Sequence, residues 1–249
     1  MRTLVCMPTY DEVENLPTAL ARVHASEPGV DVLVIDDGSP DGTGDLADAI
    51  AARDGRVFVL HRTAKDGLGR AYLAGFDWAL EHGYDCIVEM DADGSHRALD
   101  LPRLLDAVEE GADLALGSRW VPGGTVRGWA LHRLLLSRAG NRYARTMLAL
   151  PYRDVTGGYR AFRADRLHRL DLATVESEGY CFQIDLVRRA HAAGLRVVEV
   201  PITFVEREHG VSKMSGAIVL EALWSVTRWA LAPRRGTASR AARGRRRPA

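Results

Sequence analysis

Two aspartates one residue apart, Asp91 and Asp93, stand in the segment EMDADGSH at the end of the apolar run Cys86–Met90. On an extended chain, a spacing of two turns both side chains to the same side. Two unpaired carboxylates beside a buried run are costly, and a bound cation relieves that cost. Mg²⁺ is commonly held by one or two carboxylates together with substrate phosphates. The pair therefore predicts a divalent-metal site, with a structural turn or a helix cap as the alternative.

The standard phosphate-binding loops are missing from the chain. No GxGxxG follows the first apolar run, after which residues 8–12 read PTYDE, and no GxxxxGK[ST] occurs anywhere. Such loops hold phosphates through a glycine-rich backbone at a helix N-terminus. Their absence argues against a dinucleotide-binding or P-loop protein, and it makes a metal ion the expected contact for any bound phosphate.

Short apolar runs alternate with helical patterns, which is typical of a parallel α/β sheet with crossover helices. The polar clusters fall mainly after the strands, where open α/β sheets bind their ligands, so three acidic loops are expected to converge on one edge. The expected strands are Thr3–Met7, Val30–Ile35, Val57–Leu60, Cys86–Met90, Leu114–Leu116 and Arg196–Val205; the expected helices are Glu14–Ala25, Asp45–Arg53, Leu68–Glu81, Leu99–Glu110, Leu131–Leu150 and Phe182–Ala193; and Val121–Gly128 is expected as a Gly-rich loop.

Length and charge suggest one large domain with an appendage. A chain of 249 residues that is 47% hydrophobic can bury a proper core, and we expect the domain to span residues 1–215. An amphipathic helix is predicted over 216–232, followed by an Arg-rich disordered tail over 233–249. The tail holds seven of the 33 basic side chains, so residues 1–232 carry 26 basic against 33 acidic ones. An acidic body argues against a nucleic-acid partner.

The same features predict where the protein works. Cys6, Cys86 and Cys181 stand far apart, so no disulfide framework is expected and a reducing cytosol fits. The chain shows no signal-peptide pattern and no run of about 18 apolar residues. The helix and the arginine tail are interpreted as an anchor on an anionic lipid surface. A helix packed on the domain with a solvated tail, or a nucleic-acid-binding tail, are the alternatives. We expect a cytoplasmic protein, peripheral on the inner face of the cell membrane.

Six segments occur in order between Leu4 and Met214: VCMPTYDEVENL, VLVIDDGSPDGTGDLA, GLGRAYLAGFDWA, IVEMDADGSH, LALGSRWVPGG and DVTGGYRAF. Together they resemble the family 2 glycosyltransferases of the GT-A fold, specifically the polyprenol (dolichol) phosphate mannose synthases. The resemblance implies an α/β fold with a mostly parallel central sheet, a GDP-mannose donor, a Mg²⁺ or Mn²⁺ cofactor and a polyprenyl phosphate acceptor in the membrane. It also implies inversion at the anomeric carbon. Because relatives often carry membrane hairpins or recruit a membrane subunit, a separate membrane subunit is a further expected partner.

The resemblance assigns the donor site to the first two loops, to the aspartate motif and to later basic residues. Metal ligands are implied at Asp91, at Asp93 and at Ser95, which stands where many relatives have Gln. Asp36 has turn capping as its alternative role, and His96 is expected to be structural. The residues implied to bind the nucleotide sugar are Pro8, Tyr10, Glu12, Ile35, Asp37, Asp91, Ala92, Arg119, Arg207 and Lys213.

The acceptor chemistry differs from transfer to a hydroxyl. A lipid monophosphate, whose second pKa is about 6, is already an anionic nucleophile at neutral pH, so no strong base is needed. What is needed is a cationic clamp, and the planar guanidinium of arginine suits phosphate. By the resemblance, Arg119, Arg133 and Ser137 hold the acceptor phosphate and form the catalytic set with Asp93.

Other functions stay open at this stage. Residues 176–183 read ESEGYCFQ and lack the Glu-Asp pair that many hydroxyl-accepting relatives place there as a base. Glu178 or Asp154 acting as a base is the alternative. A UDP-glucose polyprenyl phosphate glucosyltransferase would share the same clamp and differ in its base and sugar contacts. A non-catalytic nucleotide-sugar-binding subunit is the alternative from another class.

Overall fold

The computed structural model describes residues 1–63, 66–175, 179–207 and 216–231. The strands are β1 (Thr3–Thr9), β2 (Asp31–Asp36), β3 (Val57–His61), β4 (Cys86–Glu89), β5 (Leu114–Ser118), β6 (Thr125–Arg127), β7 (Arg160–Arg163), β8 (Val197–Pro201) and β9 (Thr203–Val205). The helices are α1 (Leu16–Ser26), α2 (Thr43–Ala51), α3 (Leu68–Glu81), α4 (Leu101–Glu109), α5 (Leu131–Met147), α6 (Gly179–Ala192) and α7 (Gly216–Leu231), with short 3₁₀ helices at Ala98–Asp100, Ala164–Leu170 and Leu172–Thr174.

Seven of the described strands form a mostly parallel sheet, as predicted, and their order in it is β3-β2-β1-β4-β7-β5-β8. Only β7 runs antiparallel to its neighbours, β4 and β5. Strands β2, β1 and β4 lie side by side and parallel. Their carboxyl ends therefore meet at one edge, and the three acidic loops that follow them converge there, which confirms the expectation from the sequence.

Strand β7 was not predicted, and its charged first residue is the reason. Arg160 lies directly opposite Glu89 on β4, and both side chains are fully buried. The Arg160 guanidinium donates hydrogen bonds to the backbone carbonyls of Val155, Gly157 and Gln183. Buried charges are stable only when they are paired and hydrogen-bonded, and a sequence pattern does not reveal such partners.

The prediction of a single strand over Arg196–Val205 was wrong. Strand β8 pairs with β5 and ends at Pro201, whose nitrogen has no proton to continue the ladder. After one residue the chain leaves the main sheet, and β9 pairs in parallel with β6. Strand β6 itself lies within Val121–Gly128, which was expected to be a loop throughout. This small second sheet carries β9 from β8 toward the aspartate motif.

Helices cover both faces of the sheet. Apolar residues of α1, α2 and α4 form one core, and those of α3, α5, α6 and α7 form the other. The spacing of Leu16, Leu20 and Val23 gives α1 one buried face. On the opposite side, Gly75 brings α3 close to the sheet, since a Cβ there would lie 2.6 Å from Ile35 Cδ1. These two layers fix the strands whose ends carry the acidic loops.

The predicted C-terminal helix is present as α7, and it packs against α5 and α6. Val226 is buried in the core, whereas Trp224 is 70% exposed and Leu231 78% exposed. The helix thus buries one side and leaves apolar side chains on another. Among the described helices, none is both long enough and apolar enough to span a bilayer. The Arg-rich tail over 233–249 lies outside the described residues.

Candidate active site

The aspartate motif forms the loop that follows β4. The Asp91 carboxylate accepts a hydrogen bond of 3.1 Å from the Tyr72 hydroxyl on α3, and its side chain is about one-third exposed. Asp93 is nearly buried, and its Oδ1 accepts the backbone N–H of Ser95 at 3.0 Å. Burial raises the pKa of Asp91, and the neighbouring charge of Asp93 adds to that rise. The two carboxylates therefore share a site that favours a nearby cation.

The chemistry of this loop fits a hard divalent ion. Among the residues that the structure describes, no group of three or more His, Cys, Asp or Glu side chains could enclose a metal by itself. A pair of carboxylates suits Mg²⁺ or Mn²⁺ whose remaining ligands are water and substrate phosphate. The Ser95 hydroxyl is buried and has no hydrogen-bond partner among the described residues. An orphaned buried hydroxyl carries a desolvation cost that a bound group would relieve.

His96 holds the motif from behind. Its Nδ1 accepts the backbone N–H of Asp91 at 3.0 Å, and its ring stacks on Tyr159 with centroids 4.9 Å apart. Phe204 of β9 packs edge-on against the same ring at 5.6 Å. The imidazole is buried between these aromatic rings. This arrangement agrees with the structural role expected for His96.

Asp36 ends β2 and Asp37 follows it, and their carboxylates have different partners. The Asp36 carboxylate accepts hydrogen bonds from the Thr9 hydroxyl and from the backbone and hydroxyl of Ser39. Asp36 therefore caps the turn, which is the alternative role that the sequence analysis gave it. Asp37 lies at the site edge and forms an ion pair of 2.7 Å with Arg62, which follows β3. This places the carboxylate expected to bind the nucleoside beside a cation from the neighbouring strand.

The other residues predicted for the donor come together where β1 and β2 end. Pro8 lies directly beside Ile35 in the parallel register. The Ile35 side chain is fully buried against α3, so only its backbone can face a ligand. Tyr10 and Glu12 are half-buried on the loop that follows β1. Glu12 accepts a hydrogen bond of 2.6 Å from the Asn15 side chain, so its carboxylate is oriented from within its own loop.

Arg119 follows β5 and is held by a carboxylate that the sequence analysis considered only as a base. Its Nε and Nη2 donate to Asp154 at 2.7 and 2.8 Å, and Nη2 also donates to the Thr156 hydroxyl. Burial acts to raise the pKa of Asp154, but the Arg119 guanidinium outweighs it and the pKa lies below its usual range. A buried, ionised and fully engaged carboxylate is poorly suited to proton abstraction. Glu178, the other candidate base, lies outside the described residues.

Arg133 and Ser137 lie one turn apart on α5, on the side that faces Arg119. The Arg133 guanidinium stacks over Trp129 at 4.2 Å and forms an ion pair of 2.5 Å with Glu206. A cavity beside them has polar groups at one end and apolar walls from α5, α6 and α7. Its lining includes Arg119, Trp129, Arg133, Leu136, Ser137, Gly140, Tyr143, Ile184, Leu223 and Val226.

The two halves of the site are joined by the residues that follow β9. Arg207 lies 3.3 Å from the Asp93 carboxylate, as an ion pair, while the preceding residue Glu206 pairs with Arg133. Sequence reasoning placed Arg207 at the donor but missed Glu206. The only feature of the sequence that pointed to Glu206 was its position directly before Arg207, an arginine that was expected to contact phosphate. Lys213, which was predicted to act with Arg207, lies outside the described residues.

A second missed residue is Asn141, which supports the arginine side. It is buried on α5, four residues after Ser137 and eight after Arg133, and therefore shares their face of the helix. Its amide nitrogen donates to the Arg153 carbonyl and to the Asp154 carboxylate, and its oxygen accepts the backbone N–H of Val155. The 3.6-residue helical period was the signal that could have found it.

The strand order, the acidic loops at the carboxyl edge and the aspartate pair after β4 define the GT-A type of nucleotide-sugar-binding fold. Solved structures share this fold: glucosyl-3-phosphoglycerate synthase from Mycobacterium tuberculosis, in complex with phosphoglyceric acid, matches with a TM-score of 0.69 and 20% identity over 94% of this chain and 82% of that one. A mannosyltransferase from Pyrobaculum calidifontis in complex with GDP-Man and Mn²⁺ matches with a TM-score of 0.55 and 17% identity, over 92% of this chain and 72% of the other.

The chain belongs to glycosyl transferase family 2, whose pattern its residues 4–170 match. It is 60% identical over 231 residues to the polyprenol monophosphomannose synthase of Mycolicibacterium smegmatis, which covers 92% of this chain and 87% of the relative. It is 59% identical over 234 residues to the undecaprenyl-phosphate mannosyltransferase of Micrococcus luteus, covering 94% and 96% of the two chains. The family resemblance stated from the sequence motifs is thus confirmed.

Proposed function

We propose that this glycosyltransferase transfers mannose from GDP-mannose to a polyprenyl monophosphate, with inversion at the anomeric carbon. The observation that carries the proposal is the cavity beside Arg119, Arg133 and Ser137, which has a cationic end and apolar walls. A prenyl phosphate has the complementary form, with an anionic head and an apolar chain. Relatives at about 60% identity are named for mannosyl transfer or synthesis with polyprenol or undecaprenyl phosphate, which supports the same substrates here.

The donor is assigned to the opposite half of the site. Pro8, Tyr10, Glu12 and Asp37 surround the ends of β1 and β2, where the nucleoside is proposed to lie. Asp91 and Asp93, with Ser95 as a third contact, would hold Mg²⁺ or Mn²⁺ between the loop and the diphosphate. When bound, that ion supplies charge neutralisation for the leaving diphosphate and fixes its orientation.

The residues of the chain then have to bring two anions together. The acceptor phosphate is ionised above its second pKa of about 6, so one of its oxygens attacks the anomeric carbon without loss of a proton. The bond from that carbon to the diphosphate breaks, and GDP leaves with the electron pair. Arg133 and Ser137 orient the attacking phosphate. Arg119, whose orientation is fixed by Asp154, lines the same cavity and adds positive potential at its polar end.

The proposed acceptor is a membrane lipid, which agrees with the surface around the cavity. Exposed apolar side chains lie on the two helices that form its walls: Leu131, Leu135 and Leu136 on α5, and Leu220, Trp224 and Leu231 on α7. These helices and the arginine tail are proposed to rest on the anionic inner face of the membrane, with a membrane subunit as an additional partner. The cavity would then open toward the lipid.

A transfer assay tests this function directly. Purified protein is incubated with a polyprenyl phosphate and either radiolabelled GDP-mannose or UDP-glucose, with and without EDTA, and label is measured in the organic phase. Metal-dependent labelling from GDP-mannose alone is expected, and Asp93→Ala should abolish it. Labelling from UDP-glucose alone would overturn the sugar assignment. Binding of donor without transfer to any prenyl phosphate would favour a non-catalytic subunit.

A further inference from the structure

Four residues cross from one half of the site to the other, and we call 204–207 the bridging segment. On one side, Val205 N–H donates to the Ser95 carbonyl in the aspartate loop. On the other side, the Glu206 N–H donates to the carbonyl of Arg127 at the end of β6. The segment is thus tied to both the metal-binding loop and the small second sheet.

Gly128 lets the bridging segment approach closely. A Cβ at position 128 would lie only 2.8 Å from Glu206 Cβ, and the glycine has a φ of +84°, which favours glycine over other residues. Phe204 fills the space between the halves, because its ring contacts His96 at 5.6 Å and Trp129 at 5.3 Å. These packing contacts fix the bridging segment independently of its charged side chains.

Two adjacent side chains in this segment carry opposite charges to opposite halves of the site. Arg207 pairs with Asp93 at 3.3 Å, and Glu206 pairs with Arg133 at 2.5 Å. Arg207 is positive, like the metal ion that Asp93 is assigned to bind, and Glu206 is negative, like the phosphate that Arg133 is assigned to bind. A guanidinium lies where a divalent ion would meet Asp93, and a carboxylate lies where a phosphate would meet Arg133.

We propose that Glu206 and Arg207 are resident counter-ions that the acceptor phosphate and the metal ion must displace. The inference rests on the proposed function, because it takes Arg133 as the acceptor contact. A dianionic phosphate carries more negative charge than the carboxylate and can therefore replace it on Arg133, whereas a neutral prenyl alcohol cannot. Glu206 therefore occupies Arg133 until an anionic acceptor replaces it, and a neutral prenyl alcohol has no charge with which to do so.

Binding measurements on the full-length protein test Glu206. Calorimetric titration with farnesyl phosphate, a short soluble prenyl monophosphate, should give a dissociation constant about three- to fivefold lower for Glu206→Gln than for wild type, as expected for loss of a partly exposed competing ion pair. Glu206→Asp keeps the negative charge but moves it one methylene away from Arg133, and its affinity for farnesyl phosphate should rise nearly as much. Glu81→Gln, at the far end of α3, should bind like wild type. Farnesol, which carries no charge to compete for Arg133, should gain less affinity from Glu206→Gln than farnesyl phosphate does.

Mn²⁺ binding tests Arg207 without relying on activity. The free-Mn²⁺ signal in electron paramagnetic resonance gives the affinity for the metal alone, and Arg207→Gln should bind it about three- to fivefold more tightly than wild type. Arg97→Gln removes a charge from the same loop without removing the pair with Asp93, and should change the affinity less. An equal gain in both variants would mean a general field effect and would overturn the role of Arg207.

The outcomes separate the two proposals. If wild type neither binds farnesyl phosphate nor transfers mannose, the proposed function fails. If wild type binds and transfers, but Glu206→Gln binds farnesyl phosphate no more tightly, Glu206 is not a competitor of the acceptor. A gain in Glu206→Gln that Glu206→Asp lacks would likewise count against direct displacement, because the field rather than the contact would then be responsible.

Discussion

The buried pair of Arg119 and Asp154 gives the most direct quantitative prediction. The Arg119 residue is 5% exposed, and the Asp154 side chain is fully buried. The carboxylate accepts hydrogen bonds from the backbone N–H, Nε and Nη2 of Arg119, and a further one from the Asn141 amide. Replacing it leaves a guanidinium buried without its counter-charge. Breaking a buried pair in this way typically costs about 3–5 kcal/mol.

We therefore expect Asp154→Asn to lower the free energy of unfolding by about 3–5 kcal/mol. The asparagine keeps the shape of the side chain, so the loss reports the charge and its hydrogen bonds rather than a cavity. Arg119→Met should cost a similar amount, because it strands the carboxylate instead. The double variant should be more stable than the sum of the single losses predicts, by about 1–3 kcal/mol.

Urea denaturation followed by circular dichroism measures these values. A loss below about 1 kcal/mol for Asp154→Asn, with a coupling energy near zero, would refute the reasoning, because the pair would then be worth no more than a surface salt bridge. A control at the exposed pair of Arg163 and Asp165 should show such a small value. The comparison uses one protein and one method, so it isolates burial as the cause.

The pH dependence of the same variant follows from the lowered pKa of Asp154. A carboxyl group whose folded-state pKa is depressed adds stability above its unfolded-state pKa, which is about 3.9, and loses that contribution as the pH falls through the folded-state pKa. Wild type should therefore lose stability more steeply than Asp154→Asn in acid. The difference between them should be full at pH 7 and shrink below about pH 4. A constant difference across that range would contradict the assignment.

Further predictions concern packing, thiols and the membrane surface. Gly75→Ala should destabilise the fold by about 1–3 kcal/mol in urea denaturation, since its Cβ would lie 2.6 Å from Ile35 Cδ1 and 2.9 Å from Cys6 Sγ. Cys6, Cys86 and Cys181 are free and buried, and burial raises the pKa of all three thiols, to about 12 for Cys86 and about 11 for Cys181. The native protein should therefore not react with a thiol reagent at about pH 8, while the unfolded chain should. Deleting residues 233–249 should weaken binding to anionic vesicles in a salt-dependent way, and Trp224→Ser should weaken it with less dependence on salt; unchanged sedimentation with vesicles would reject these two contacts.

Local patterns were sufficient for most of the fold. The bounds of α3 were predicted to the residue, because Leu68–Glu81 has a clear helical period with a glycine before it. The parallel strands were recognised because they are continuous apolar runs, as strands covered on both faces must be. Strand β7 was missed because it has only four residues and begins and ends with arginine, Arg160 and Arg163, and because the strands beside it come from distant parts of the chain.

The candidate site shows a similar division. Residue type and position after a strand were enough to pick out Asp91 and Asp93, whose convergence with the other acidic loops depends only on parallel strands sharing an edge. The contacts of Arg119 could not be predicted, because Asp154 is 35 residues away in the chain, beyond β6 and α5. Glu206 was missed because the chain leaves the main sheet after Pro201, and this change of direction brings Glu206 beside Arg133 of α5.

The inserted antiparallel strand also sets the spacing between the two halves of the site. Asp91 and Asp93 follow β4, and Arg119 follows β5, with β7 between these strands. Neighbouring strands are about 4.8 Å apart, so the carboxyl ends of β4 and β5 are separated by about 10 Å. Because β7 runs in the opposite direction, its beginning lies at this same edge, and residues 156–159 enter between the two ends. A direct β4–β5 pairing would halve the gap and crowd a cation and a guanidinium against one another. The wider gap suits the proposed function, in which one sugar ring would lie between a diphosphate on the aspartates and a phosphate on the arginines before a single displacement.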